Sequence, residues 1–306
     1  MGNTRLETAI LIAGPTASGK SAVAMDVAER LNGVVINADA MQLYADLNVL
    51  TSRPSRADEA RVPHRLFGCA PAAEAWSAGR WLEAASAEIS ATWQAGKVPV
   101  IAGGTGLYFK VLEEGLSPVP AVPDDIRDHW RERLQREGAC TLHAELARTA
   151  PDDAARIEAA DGQRVVRALE VLQATGKQLF DHFAAARQTS VLANAEVRRV
   201  ALMPPREDLY RSCDARFEVM LECGAMGEVE RLLTQRLAPD LPAMKAIGVP
   251  ALAAHLADEV PLKDAVGLAQ KQTRNYAKRQ MTWIRNQMTD WPKVDTPEQA
   301  LEVLLT

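Results

Sequence analysis

Gly14-Pro15-Thr16-Ala17-Ser18-Gly19-Lys20-Ser21 fits the pattern G-x-x-x-x-G-K-S/T. An apolar run, Ala9–Ala13, leads into it and stops at Gly14. A stretch with helical spacing follows, Ser21–Leu31, with Val23, Val27 and Leu31 on one face. The order strand, loop, helix is what gives this spacing its chemistry. The glycines let the backbone curl so that successive N–H groups face inward. The helix N-terminus adds partial positive charge and Lys20 a full one, and Ser21 offers a hydroxyl suited to Mg²⁺. The eight residues together predict a diphosphate cradle. The alternative is a glycine-rich strand-to-helix turn with an incidental lysine.

Outward from the loop, the same alternation continues. Val34–Ile36 is a second short apolar run, ending at Asn37-Ala38-Asp39. Glu83–Gln94 has helical spacing, and Val98–Ala102 is a third run, stopped by Gly103-Gly104-Thr105-Gly106. Continuous rather than alternating apolar runs predict a parallel sheet covered on both faces, so the fold class is α/β and P-loop NTPase-like. Pro118, Pro120 and Pro123 mark a boundary. From Asp124 to about Phe183 the pattern is helical and charge-rich. Arg199–Met203 then reads as a strand returning to the sheet. The expected organisation is a core segment 1–118, a helical insertion 119–190, and a second core segment 191–306 with C-terminal helices.

Composition narrows the class. The 306 residues are 47% hydrophobic and 25% charged, an ordinary globular mix. Lys+Arg minus Asp+Glu is 35 − 40 = −5, which excludes a globally basic nucleic-acid binder but not a local basic surface. No apolar run approaches a membrane span, and Thr8–Ala13 is too short for a signal-peptide core. The four cysteines form no C-x-x-C pair, so neither a zinc ribbon nor a disulfide framework is expected and a cytoplasmic location is. His64 and His143 have no ligand partners at metal spacing.

Most P-loops hold ATP or GTP, with an acid at a strand end near Mg²⁺. Here the third strand ends in Gly-Gly-Thr-Gly, without a carboxylate. Asp39 is the acid at a strand end, where ligands of parallel sheets bind. It reads as a metal acid or a general base, or else as a loop or N-cap aspartate.

Eight segments, taken together, resemble a known family. They are GPTASGKS, NADAMQLY (Asn37–Tyr44), VPHRL (Val62–Leu66), GGTGLYFK (Gly103–Lys110), QRVVRALEV (Gln163–Val171), TGK (Thr175–Lys177), KAIG (Lys245–Gly248) and TRNYAKRQMTWIR (Thr273–Arg285). The chain is similar to bacterial tRNA dimethylallyltransferases, also called tRNA isopentenyltransferases, from about residue 10 to about 290. The resemblance implies transfer of a dimethylallyl group from dimethylallyl diphosphate to the 6-amino group of the adenine 3′ of the anticodon. The loop then holds a prenyl donor's leaving diphosphate, with Mg²⁺ at Ser21. Asp39 becomes the general base and Arg216 a diphosphate contact. Ala40, Met41, Gln42 and Thr105 are placed against the RNA, with the Gln42 amide suited to an adenine edge.

The resemblance also assigns tRNA contact to Arg127, to Gln163, Arg164, Val165, Val166 and Arg167, and to Lys245. Within the QRVVR segment, Val165 and Val166 pack the helix down. Lys271, Arg274 and Lys278 share a helical face in an acid-free stretch, which points Arg274 and Lys278 towards RNA phosphate. Tyr276 and Trp283, seven apart, read as core anchors. The implied partners are a tRNA anticodon arm and dimethylallyl diphosphate, with no membrane and no obligate protein partner, consistent with a monomer. Three positions depart from the family: Ala40 replaces a serine, Val249-Pro250 a Tyr-Lys pair, and Thr51-Ser52-Arg53-Pro54 a Gly-Thr-Ala-Lys-Pro run. Two other classes compete on the residues alone. A P-loop kinase leaves the AKRQMTW stretch without a purpose, and a non-catalytic RNA-binding module leaves GPTASGKS unused.

Overall fold

Five of the six residues of β1 (Thr8–Ala13) are buried, so this run can only be an interior strand. A computed structural model describes residues 7–117, 119–184 and 189–306. Met1 and Pro118, which bound the expected first segment, lie outside the described residues. Beside β1 stand β2 (Gly33–Asn37), β3 (His64–Arg65), β4 (Val98–Gly103), β5 (Glu196–Leu202) and β6 (Lys293–Val294). Among the described residues they form a six-stranded sheet in the order β3-β2-β4-β1-β5-β6, and every pairing is parallel.

Both faces of this sheet are covered. Ile10 and Ile12 of β1 pack with Val23, Val27, Val100, Val200, Leu202 and Leu304. Leu11, between them, is equally buried and points to the opposite face, as the period of two requires. The helix Lys20–Arg30 and the C-terminal helix Pro297–Leu305 lie on the first face. The helix Ala78–Gln94 spans β1 and β2 and is longer than its apolar spacing predicts, because Ser77 caps it through the N–H of Arg80. Its two tryptophans tie it to the strands. Trp81 Nε1 donates to the Asn37 carbonyl at 2.9 Å, and Trp93 Nε1 to the Thr8 carbonyl at 2.9 Å. Parallel strands put their carboxyl ends on one edge. The loops after β1, β2 and β4 therefore lie side by side, stitched by Gly14 N–H to the Gly103 carbonyl and Ala38 N–H to the Ala102 carbonyl.

The chain forms two compact units. One joins the stretch up to Glu113 with Ser190–Thr306, and the other is Glu114–Thr189. The second is helical throughout its described elements: Asp124–Glu137, Ala139–Thr149, Pro151–Ala154, Gly162–Thr175 and Leu179–Ala184. Its core gathers Trp130, Leu142, Leu146, Val165, Val166 and Leu169.

Candidate active site

The glycine-rich loop leaves β1 and enters the helix Lys20–Arg30 through Gly19, whose φ of +88° is a left-handed turn that favours glycine. Lys20 folds back, its Nζ donating to the Pro15 carbonyl at 3.2 Å. Burial pulls its ammonium down to about 8; Asp39 nearby opposes that shift and Arg216 adds to it. Ser18 Oγ is buried with no partner among the described residues. A buried hydroxyl left unmatched in the loop that carries the Lys20 ammonium fits a phosphate oxygen. Ser21, on the first turn of the helix, is exposed.

Asp39 is held from several sides. Asn37, fully buried at the end of β2, accepts from the Asp39 N–H at 2.8 Å. Its own amide donates to the carbonyls of Asp39 at 2.9 Å and Leu66 at 3.0 Å. Asp39 Oδ1 accepts the N–H of Met41 at 3.0 Å, which orients the carboxyl group at the start of a short turn, Met41–Leu43. Thr105 closes the arrangement from the loop after β4. Its N–H donates to the Ala38 carbonyl at 3.1 Å, and its Oγ1 accepts the Ala40 N–H at 3.0 Å. Tyr276 hydrogen-bonds the Thr105 side chain, and burial pushes its phenol up.

Two long helices complete the site. From Arg206–Glu222, Arg216 donates to Thr16 Oγ1, and Cys213 Sγ lies 3.9 Å from the Thr16 carbonyl. Burial lowers the Arg216 guanidinium from its usual range. From Leu262–Gln287, the buried Gln280 accepts the Thr16 N–H at 2.8 Å and donates to the Gly104 carbonyl at 2.9 Å. One amide thus clamps the phosphate loop to the loop after β4. A Cβ on Gly104 would come within 2.1 Å of that amide nitrogen.

Some of these groups line a cavity of about 250 Å³. Thr16, Asp39, Ala40, Met41, Arg216, Lys245 and Arg279 line it, as do Leu50, Phe217, Met220 and Ile247. The lining thus combines polar and charged groups with apolar ones. Tyr276 also lines it, so that residue is a cavity wall and not the core anchor its spacing predicts. Gln42 is committed elsewhere, donating to the carbonyls of Thr51 at 2.8 Å and Ser52 at 2.9 Å. Arg274 is ion-paired with Asp214. Lys278 is exposed in a separate groove with Asn275, Arg279, Thr282 and Trp283.

In the helical unit, Gln163 and Arg164 are exposed, and Arg127 and Arg167 are partly so. Each arginine pairs with an acid three residues away: Arg127 with Asp124, Arg164 with Asp161, Arg167 with Glu170. The first two are surface pairs, worth little, and leave the guanidinium available to phosphate, whereas Arg167 is held by a buried Glu170. Val165 and Val166 are a correction. At 0% and 5% exposure they sit in the unit's apolar core, and their side chains cannot meet RNA. Cys213, Phe217, Met220 and Gln280 are site residues that sequence reading did not single out. The signal for the first three was their spacing with Arg216, which puts all four on one helix face. Gln280 gave none beyond its place in AKRQMTW.

The IPP transferase family profile matches residues 42–287, and an isopentenyl transferase profile matches residues 7–69. The chain belongs to the IPP transferase family. A family relative, the tRNA dimethylallyltransferase of Rhodospirillum centenum, is 52% identical over 91% of this chain and 88% of its own length. That of Rhodopseudomonas palustris strain BisB18 is 50% identical over 97% of this chain and 93% of its own. Among solved structures, the tRNA isopentenylpyrophosphate transferase of Bacillus halodurans superposes with a TM-score of 0.70 at 28% identity, covering 98% of this chain and 95% of that one. A eukaryotic dimethylallyltransferase acting on tRNA reaches a TM-score of 0.82 at 25% identity, covering 97% and 76%. The two matched ranges together span the phosphate loop, Asp39 and the residues that line the cavity. No helix among the described residues is long and apolar enough to cross a membrane.

Proposed function

We propose that this enzyme transfers a dimethylallyl group from dimethylallyl diphosphate to the exocyclic 6-amino group of the adenine next to the anticodon on its 3′ side, in tRNA, releasing diphosphate. The observation that carries the reading is one cavity with three kinds of wall. It holds a carboxyl group at Asp39, a cationic phosphate cradle at Thr16 and Arg216 beside Lys20, and an apolar side from Leu50 to Ile247. A prenyl diphosphate and an amine acceptor need that combination.

The adenine amine is a poor nucleophile because its lone pair is delocalised into the ring. As its nitrogen forms a bond to the allylic carbon, the carbon–oxygen bond to diphosphate breaks and its electron pair leaves with the diphosphate. Asp39 takes the proton lost by nitrogen. Lys20, Arg216 and the loop N–H groups meet the charge growing on the leaving oxygens, the largest lever such a site has. Ser21 would hold Mg²⁺ through its hydroxyl, and Ser18 Oγ, buried without a partner among the described residues, would donate to a phosphate oxygen. The ion, when bound, adds positive charge at the diphosphate. The target base must leave the anticodon stack to reach Asp39. Arg127, Gln163, Arg164 and Arg167 in the helical unit, and Lys245, Arg274 and Lys278 in the core unit, are the proposed contacts to the anticodon arm.

Labelled dimethylallyl diphosphate, Mg²⁺ and tRNA lacking the modification test this directly. Label is expected in the RNA. Asp39→Ala should slow single-turnover transfer by about 10²–10⁴, the range of a positioned base. No label in RNA with the unaltered enzyme overturns the reaction, and a rate within a few-fold for the variant removes Asp39 from its role.

A further inference from the structure

Glu228 is a buried acid outside the site, on the helix Ala225–Thr234, with 3% of its surface exposed. A buried carboxyl group is costly unless its oxygens are hydrogen-bonded. Here they accept three successive backbone N–H groups, those of Asn48 at 2.7 Å, Val49 at 2.8 Å and Leu50 at 2.9 Å. The loop so held is fastened at its far end by Gln42, whose amide grips the carbonyls of Thr51 and Ser52. Thr51 Oγ1 donates back to the Leu47 carbonyl at 2.7 Å.

This loop puts Leu50 and Thr51 into the cavity wall. Leu50 and Phe217 both crowd Gly248, where an added Cβ would stand 2.9 Å from Leu50 Cδ2 and 3.2 Å from Phe217 Cε2. Along the helix Arg206–Glu222, Arg216, Phe217 and Met220 share one face. From the diphosphate end at Arg216 to Met220 is about 6 Å of helix axis, at 1.5 Å per residue. That is the run of wall along which a donor's hydrocarbon can lie, and Leu50 helps close it.

We propose that Glu228 is a positioning residue that holds the Leu50 wall, and that this wall sets how long a prenyl chain the enzyme accepts. The inference rests on reading the cavity as the prenyl-donor site. Replacing Glu228 orphans three backbone N–H groups, so the loop must rearrange to find other partners. Leu50 then withdraws and the apolar end opens.

The test is a selectivity ratio. The kcat/KM for dimethylallyl diphosphate and for geranyl diphosphate, longer by one isoprene unit, is measured with the full chain, Mg²⁺ and unmodified tRNA. The unaltered enzyme should strongly prefer the shorter donor. Leu50→Ala and Glu228→Ala should each shift the ratio towards geranyl diphosphate by about tenfold or more, the scale of opening a pocket by a few methylenes. Glu228→Gln retains one accepting oxygen and should shift it less. Because both donors are read on the same folded molecules, partial unfolding cancels, and a merely structural Glu228 would lower both rates alike. If Glu228→Ala does not fold, the Glu228→Gln ratio decides. An unchanged ratio in the Glu228 variants while Leu50→Ala shifts it overturns the role of Glu228. No shift in Leu50→Ala, or efficient geranyl transfer by the unaltered enzyme, overturns the role of the wall. No transfer from either donor by the unaltered enzyme overturns the reading of the cavity itself, and the inference with it.

Discussion

Gln280→Leu removes the clamp between the phosphate loop and the loop after β4 while keeping the side chain's bulk. Two hydrogen bonds disappear, from the Thr16 N–H at 2.8 Å and to the Gly104 carbonyl at 2.9 Å. A buried backbone group left without a partner costs about 1–3 kcal/mol. Thr16 and Gly104 are themselves only partly buried, so water recovers some of the loss. The lower half of the range applies twice, which gives a destabilisation of about 2–4 kcal/mol. Urea unfolding measures it. The functional consequence is separate. Thr16 also receives Arg216 through its hydroxyl, so a loosened Thr16 displaces a diphosphate contact. Donor kcat/KM should fall by about tenfold or more, as misplacement near the chemistry allows. Gly104→Ala attacks the same link from the other side, since its Cβ would evict the Gln280 amide, and should reproduce the donor defect. A Gln280→Leu enzyme within about 0.5 kcal/mol of the unaltered one, the scatter of ordinary surface changes, with unchanged donor kinetics, would refute the clamp.

The Lys20 ammonium, lowered to about 8, gives a pH dependence with a definite sign. Above that pH the free enzyme loses the charge that meets diphosphate, so donor kcat/KM should fall as pH rises through about 8. Bound diphosphate restores proton affinity, so the matching limb in kcat lies higher. Arg216 is one of the groups depressing Lys20, so Arg216→Ala should move the limb upward while weakening donor use at every pH; a limb that stays in place removes Lys20 from it. Affinity for tRNA should weaken steeply with salt, each phosphate contact contributing a slope of about 0.7–0.9 in log–log form. Lys278→Ala should reduce that slope by about one contact and Arg274→Ala by less, because Arg274 is already paired with Asp214. Salt-insensitive binding would exclude a phosphate grip.

The phosphate loop, the buried strands around it, Asp39 at the end of β2 and the helical stretch after residue 124 were all legible in the chain itself. Each rests on a local rule: a glycine-lysine spacing, an unbroken apolar run, a carboxylate where such a run stops, or a 3.6-residue period. Strands β3 and β6 were not legible, because two residues carry no periodicity. Tyr276 was misplaced for a related reason. An aromatic stripe marks a face that is covered, and only the fold tells whether the cover is core or cavity. What tertiary structure alone decided are the pairings across the chain. Gln280 reaches Thr16 over 264 residues, and Glu228 reaches Asn48, Val49 and Leu50 over 178–180. A backbone N–H has the same chemistry wherever it stands, so no residue in either segment announces its partner. The parallel sheet brings the carboxyl ends of β1, β2 and β4 to one edge, and the packing of two distant helices selects which amide clamps that edge and which acid holds the loop at 48–50.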